Sequence, residues 1–193
     1  MNILKRQDLL PLEQYAGERA SFRARVMAHK QSRRVAIGKH ACLYFEDRLT
    51  VHYQIQEMLR IEKIFEPQEI EEELKAYNPL IPDGNNWKAT FMLEYEDVEE
   101  RRVALANLHG IATKVWMQVG DQARVFAIAD EDMDREDSDK TSAVHFLRFD
   151  LTPQMVTAAK AGAAISSGID HPHYRYETAL DDLARAALVA DLA

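Results

Sequence analysis

The sequence predicts an α+β fold in which several helices pack on a mixed or mainly antiparallel sheet, and three observations carry that prediction. Stretches with the period of a strand follow one another in the second half without a helix between every pair. Longer stretches with helical spacing open the chain, recur in its middle and close it. With 193 residues and 47% hydrophobic content, the chain can bury one substantial core, so a single domain over residues 1–193 is expected.

Apolar residues Leu12, Tyr15, Ala16, Phe22 and Val26 recur at helical intervals up to about Lys30, with Asp8 and Pro11 as start signals, and predict the first helix. RRVAIGKHACLYFED then alternates Val35, Ile37, Lys39, Ala41, Leu43 and Phe45 against His40, Cys42 and Tyr44, which is strand period. Thr50 is expected to cap a helix over residues 51–65. Pro67 and Glu69 begin a shorter acidic helix ending near Tyr77. NPLIPDGNN, rich in proline and asparagine, reads as a loop. KATFMLEYED, IATKVWMQVG, QARVFAIAD and SAVHFLRFDL read as strands, with VEERRVALANL and PQMVTAAKAG as helices between them. Gly120 and Asp121 can turn the two middle strands into a hairpin. A terminal helix is expected from about Tyr174, with Leu180, Leu183, Ala187, Leu188 and Leu192 on one side.

A net charge of −8 argues against general affinity for nucleic acid or an anionic membrane, because both need accumulated Lys and Arg. Arg23, Arg25, His29, Lys30, Arg33 and Arg34 form one local basic cluster, read as balancing the acidic excess through ion pairs or as solvated surface. The single cysteine, Cys42, forbids an intramolecular disulfide and fits a reducing cytoplasm; its apolar strand marks it as a buried structural thiol. The first residues lack the apolar core of a signal peptide and nowhere do about 18 apolar residues run together, so a soluble, cytoplasmic protein is expected.

The polar residues in apolar settings come next. At about 100° per residue, Val51, Ile55, Met58, Leu59 and Phe65 gather on one side of the 51–65 helix with Glu62 at the centre of the stripe. A buried carboxylate there needs a proton, a distant cation or a metal. Arg148, on the opposite side of its strand from His145, is the candidate cation. On this basis Glu62→Gln is expected to cost more than Glu57→Gln. Across the helix, Glu57 and Arg60 are spaced to pair, flanked by Tyr53 and Ile64, which suggests a second covering layer.

DHPHYRYE offers His171, His173 and Glu177; if the terminal helix has begun, the last two stand one turn apart, a spacing that suits a divalent ion such as iron, zinc or manganese. The competing reading has Asp170 capping that helix and Pro172 in its first turn. Asp130, Asp132 and Asp134 imitate the start of a calcium loop, but Arg135 stands where glycine is required and Thr141 where a bidentate glutamate is, so a solvated acidic loop is expected. GxGxxG, P-loop, GxSxG and HExxH patterns are absent, leaving no basis for a nucleotide enzyme, serine hydrolase or zincin.

Four segments in order, RRVAIGKHACLYFEDRLTVHYQIQEMLRIEKIFE, AYNPLIPDGNNWKAT, the ADED to KTSAVHFLRF block and GIDHPHY, resemble the bacterial Domain of Unknown Function 3501 family over nearly the whole chain. The resemblance implies a bacterial cytoplasmic protein with no assigned activity, set among rubrerythrin-like and iron–sulfur or flavin oxidoreductases. It draws attention to Gln56, Glu57, Arg60, Glu62, Asn78, Pro82, Lys140, His145, Arg148, His171 and Pro172, and departs from the family pattern at residues 47–49. The leading expectation is a binding or accessory protein of a redox or oxidative-stress system. It would be a homo-oligomer, with Glu57, Arg60, Glu62, Asn78, Lys140, His145 and Arg148 holding a small anionic ligand or a redox partner protein. The alternative is a metal-dependent enzyme with ligands from His171, His173 and Glu177, joined by Glu57 or Glu62.

Overall fold

The computed structural model describes residues 3–131 and 139–193. The α+β reading holds, but the strands form two antiparallel sheets rather than one. The elements run α1 (Leu12–Gln31), β1 (Arg34–Ile37), β2 (Ala41–Phe45), α2 (Arg48–Glu62), α3 (Pro67–Tyr77), β3 (Asn86–Leu93), α4 (Val98–Asn107) and β4 (Val115–Val119). There follow β5 (Val125–Phe126), β6 (Ile128–Ala129), β7 (Val144–Asp150), α5 (Pro153–Lys160), β8 (Ile165–His171), β9 (Tyr174–Ala179) and α6 (Asp182–Ala190). Sheet one has the order β1-β2-β3-β7-β6 and sheet two β5-β4-β8-β9.

Alternation decides which faces meet. Leu43, Phe45, Trp87, Phe91, Leu147 and Phe149 from sheet one share a single buried cluster with Val115, Met117, Ile165 and Ile169 from sheet two. The Trp87 indole donates to the Leu188 carbonyl at 2.9 Å and so ties α6 to this core. A smaller cluster of Leu4, Val51, Ile55, Leu59, Leu74 and Ile81 joins the N-terminal segment to α2 and α3. A third, of Tyr15, Phe22 and Val26, seats α1 on α2.

Several elements differ from expectation. RRVAIGKHACLYFED is a hairpin, because Gly38 takes a left-handed φ of 73° and reverses the chain between β1 and β2. QARVFAIAD breaks at Ala127 and changes sheets: β5 pairs with β4, as the turn at Gly120 and Asp121 predicts, while β6 pairs with β7. The 51–65 helix is displaced toward its N-terminus. Asp47 is the cap, accepting from the Leu49 and Thr50 amides, and Thr50 returns the bond to the Asp47 amide at 2.9 Å. Lys63, left-handed at φ 58°, ends the helix. DHPHYRYE is not a helix start but the β8–β9 hairpin, in which His171 pairs with Tyr174 across the Pro172–His173 turn. Tyr174 and Tyr176 suit a pleated surface, and the last helix waits until Asp181, which accepts from the Ala184 amide at 2.7 Å.

Three of the six residues of the basic cluster, His29, Arg33 and Arg34, form ion pairs among the described residues. Arg33 is buried and grips Asp191 with two bonds of 2.8 Å, while His29 and Arg33 both reach Asp47. Cys42 is buried, and burial pushes its thiol up. Among the described residues no helix is long and apolar enough to cross a membrane.

Candidate functional site

The singled-out residues do not converge on one place. Glu62 is exposed, which overturns the buried-charge argument. The stripe is real over Val51, Ile55 and Leu59, but Leu4, Leu74 and Ile81 cover it only that far, and the helix stops at residue 62, leaving Phe65 66% exposed. Arg148 does not serve Glu62 either; it pairs with Glu131 at 2.8 and 2.9 Å and with Asp150.

The other side of α2 carries the satisfied charge. Glu57 accepts from the Tyr15 hydroxyl and from Arg19 Nε and Nη2, each at 2.7 Å. Arg60 Nε lies 3.4 Å away, an ion pair without the alignment of a hydrogen bond. Arg19 chiefly, with Tyr15, draws the Glu57 carboxyl down to about 2. The second covering layer inferred over Glu57 and Arg60 is therefore α1. Neither Tyr15 nor Arg19 was visible as a partner in the sequence, because both belong to a helix 38 or more positions away.

Asn78 forms a two-bond clasp with the Leu4 backbone, at 2.8 and 2.9 Å, which pins the N-terminal segment to the end of α3. Lys140 is exposed. Opposite Arg148, His145 is fully buried with Nδ1 2.5 Å from Asp130 Oδ2 and Nε2 3.0 Å from Thr141 Oγ1. This acid, imidazole and hydroxyl series has the order of a catalytic relay, but Thr141 is 1% exposed, so no substrate reaches the hydroxyl and the group works as a clamp. Asp132, Asp134 and Arg135 of the acidic segment lie outside the described residues.

Of the proposed metal ligands, His171 and His173 are neighbours with ring centroids 5.8 Å apart, and Glu177 turns to another partner. His171 Nε2 donates to the His109 carbonyl at 2.9 Å and its Nδ1 accepts from the His173 amide at 3.2 Å, which occupies both ring nitrogens. Glu177 lies in β9 and binds Arg124 at 2.9 Å. Without the helix, the one-turn spacing that joined His173 to Glu177 is lost. Among the described residues no group of three or more His, Cys, Asp or Glu is placed to hold a metal ion.

A different set of side chains does converge. In the β3–β7 register Lys88 stands directly opposite Arg148, so two cations share the outer face of sheet one. Facing them, α2 and α3 contribute Met58, Glu73, Ala76 and Tyr77, and the half-open cavity between measures about 610 Å³. That volume falls in the range of small-molecule sites, and its walls are mostly apolar, with Leu80 and Phe146 completing them.

The charges in this cavity are poorly matched. Arg148 is satisfied by Glu131 and Asp150 at the rim, and their bonds hold its guanidinium firmly protonated. Among the described residues Lys88 donates only to neutral backbone carbonyls, those of Pro79 at 2.7 Å and Ile81 at 2.9 Å. Burial pushes its amine below the ordinary lysine range, and Arg148 adds to the effect while Asp83 opposes it. Glu73 Oε2 is buried with no hydrogen-bond partner among the described residues. Burial first, then repulsion from Glu62 and Glu72, raises the Glu73 carboxyl. Sequence reading missed both groups: Glu73 is one of several acids in EIEEEL, and Lys88 carries only the weak signal of a lone charge within NWKATFML.

A second concavity of about 1000 Å³ lies between the N-terminal segment and α3, walled by Leu4, Leu10, Leu59, Ile64, Ile70 and Leu74. The charges around it, Lys5, Arg6, Glu71 and Lys75, are exposed, so it lacks desolvated groups that could orient a ligand.

A search of the curated proteins finds no match. Among solved structures, a crystal structure described as a novel protein of unknown function from Burkholderia pseudomallei shares 53% sequence identity with this chain. The alignment covers 98% of this chain and 99% of that one, with a TM-score of 0.93. The family described as "Protein of unknown function (DUF3501)" matches residues 3–192, and the chain belongs to that family.

Proposed function

We propose that the protein binds a small molecule with an apolar body and an acidic group in the cavity between α3 and sheet one, acting as a binding or accessory protein. The observation that carries the reading is Lys88, a partly desolvated ammonium in an apolar-walled cavity with no carboxylate in ion-pair range among the described residues. A bound carboxylate would supply the missing counterion, and Met58, Tyr77 and Phe146 would take the hydrocarbon. The redox or oxidative-stress setting belongs to the same proposal and rests on the family resemblance. Homo-oligomer formation belongs to the same proposal, and sedimentation analysis tests it.

Calorimetric titration with short aliphatic and aromatic carboxylates tests the binding role. Lys88→Met should weaken the best of them by about tenfold or more, the scale of one charge-assisted hydrogen bond. Carboxylates that bind equally well to wild type and Lys88→Met would place the site elsewhere.

A further inference from the structure

We infer that the ligand of this cavity is amphoteric, carrying an amine for Glu73 as well as an acid for Lys88, with an apolar spacer between them. The inference rests on the reading of the cavity as a binding site and deepens it.

Glu73 projects from α3, on the helical wall, with a buried oxygen that finds no donor among the described residues. Lys88 projects from β3, on the sheet wall. No ion pair joins the two among the described residues, so a cation and an anion line one cavity without neutralising each other. Four kinds of occupant can be compared. A neutral apolar molecule would desolvate both charges and compensate neither. A simple acid would satisfy Lys88 but add a negative charge beside Glu73, whose neighbours Glu62 and Glu72 already repel it. A simple amine would satisfy Glu73 and add a positive charge beside Lys88 and Arg148. A molecule with both groups improves both contacts at once, and Met58, Ala76, Leu80 and Phe146 offer apolar contact to the carbons between them.

The test uses the full chain and three probes of equal carbon count: caproate, hexylamine and ε-aminocaproate, followed by shorter and longer ω-amino acids to measure the span. Calorimetry is expected to show ε-aminocaproate, or its best homologue, binding about tenfold or more tightly than either monofunctional probe. Glu73→Gln should bring it down to the level of caproate while leaving caproate binding equal or tighter. Lys88→Gln, which keeps a donor for the Pro79 and Ile81 carbonyls, should instead abolish the preference over hexylamine. Thermal unfolding of both variants confirms that they fold. If caproate binds as tightly as every amino acid in the series and Glu73→Gln changes nothing, the amphoteric ligand is refuted while the cavity keeps its binding role. If no probe binds wild type at all, the binding role fails and takes this inference with it.

Discussion

Glu57 and Glu73 are both helical glutamates facing another layer of the fold, and their surroundings differ in one respect. At the α1–α2 seam, Glu57 meets Tyr15, Arg19 and Arg60, and its proton affinity falls to about 2. At the cavity between α3 and sheet one, Glu73 meets Met58, Tyr77 and the charges of Glu62 and Glu72, and its proton affinity rises. A carboxylate completed within the chain makes a joint. One left incomplete against an apolar wall is a place where something else can complete it.

The contrast can be broken at either end. Glu57→Gln removes the charge that Arg19 and Arg60 share and should cost about 1 kcal/mol in denaturant titration, the largest effect in this set. Its pH signature is equally specific. Because the folded carboxyl lies below its ordinary value of 4.5, its contribution is complete above that value and is lost as pH falls toward about 2. Stability curves of wild type and Glu57→Gln should therefore converge across that window; parallel curves would mean that the network is loose. A double-mutant cycle with Arg19→Met should return a favourable coupling, weakened by solvent because Arg19 is 36% exposed.

Glu73→Gln should act in the opposite direction. A raised carboxyl favours the fold only while protonated, and that contribution is lost as pH rises through its folded value. Above that region the variant should be more stable than wild type by less than about 1 kcal/mol, since water still reaches part of the group. The gain should vanish in acid; a loss at neutral pH would show that Glu73 has a partner in the fold. Smallest of all, Glu62→Gln should stay within about 0.5 kcal/mol, as for other exposed positions. The order expected from sequence, with Glu62 above Glu57, is thus reversed.

The reversal shows what periodicity can and cannot carry. Hydrophobic spacing located α1, α3 and β7 well, because each turns one side toward a covering layer. It also placed His145 and Arg148 on opposite faces. It failed where the covering layer ends before the pattern does, as at Glu62, and where one glycine or one proline turns the chain, as at Gly38 and Pro172. The cavity was illegible for a different reason. Lys88 and Glu73 are ordinary surface types within their own elements, and their mismatch exists only once α3 lies across sheet one.

One imidazole, His145, holds the chain at Asp130 on one side and at Thr141 and the Ser142 carbonyl on the other. Two fixed points on a single rigid ring tie the ends of β6 and β7 to each other. Replacing the ring would release both anchors together and free the β6 edge of sheet one.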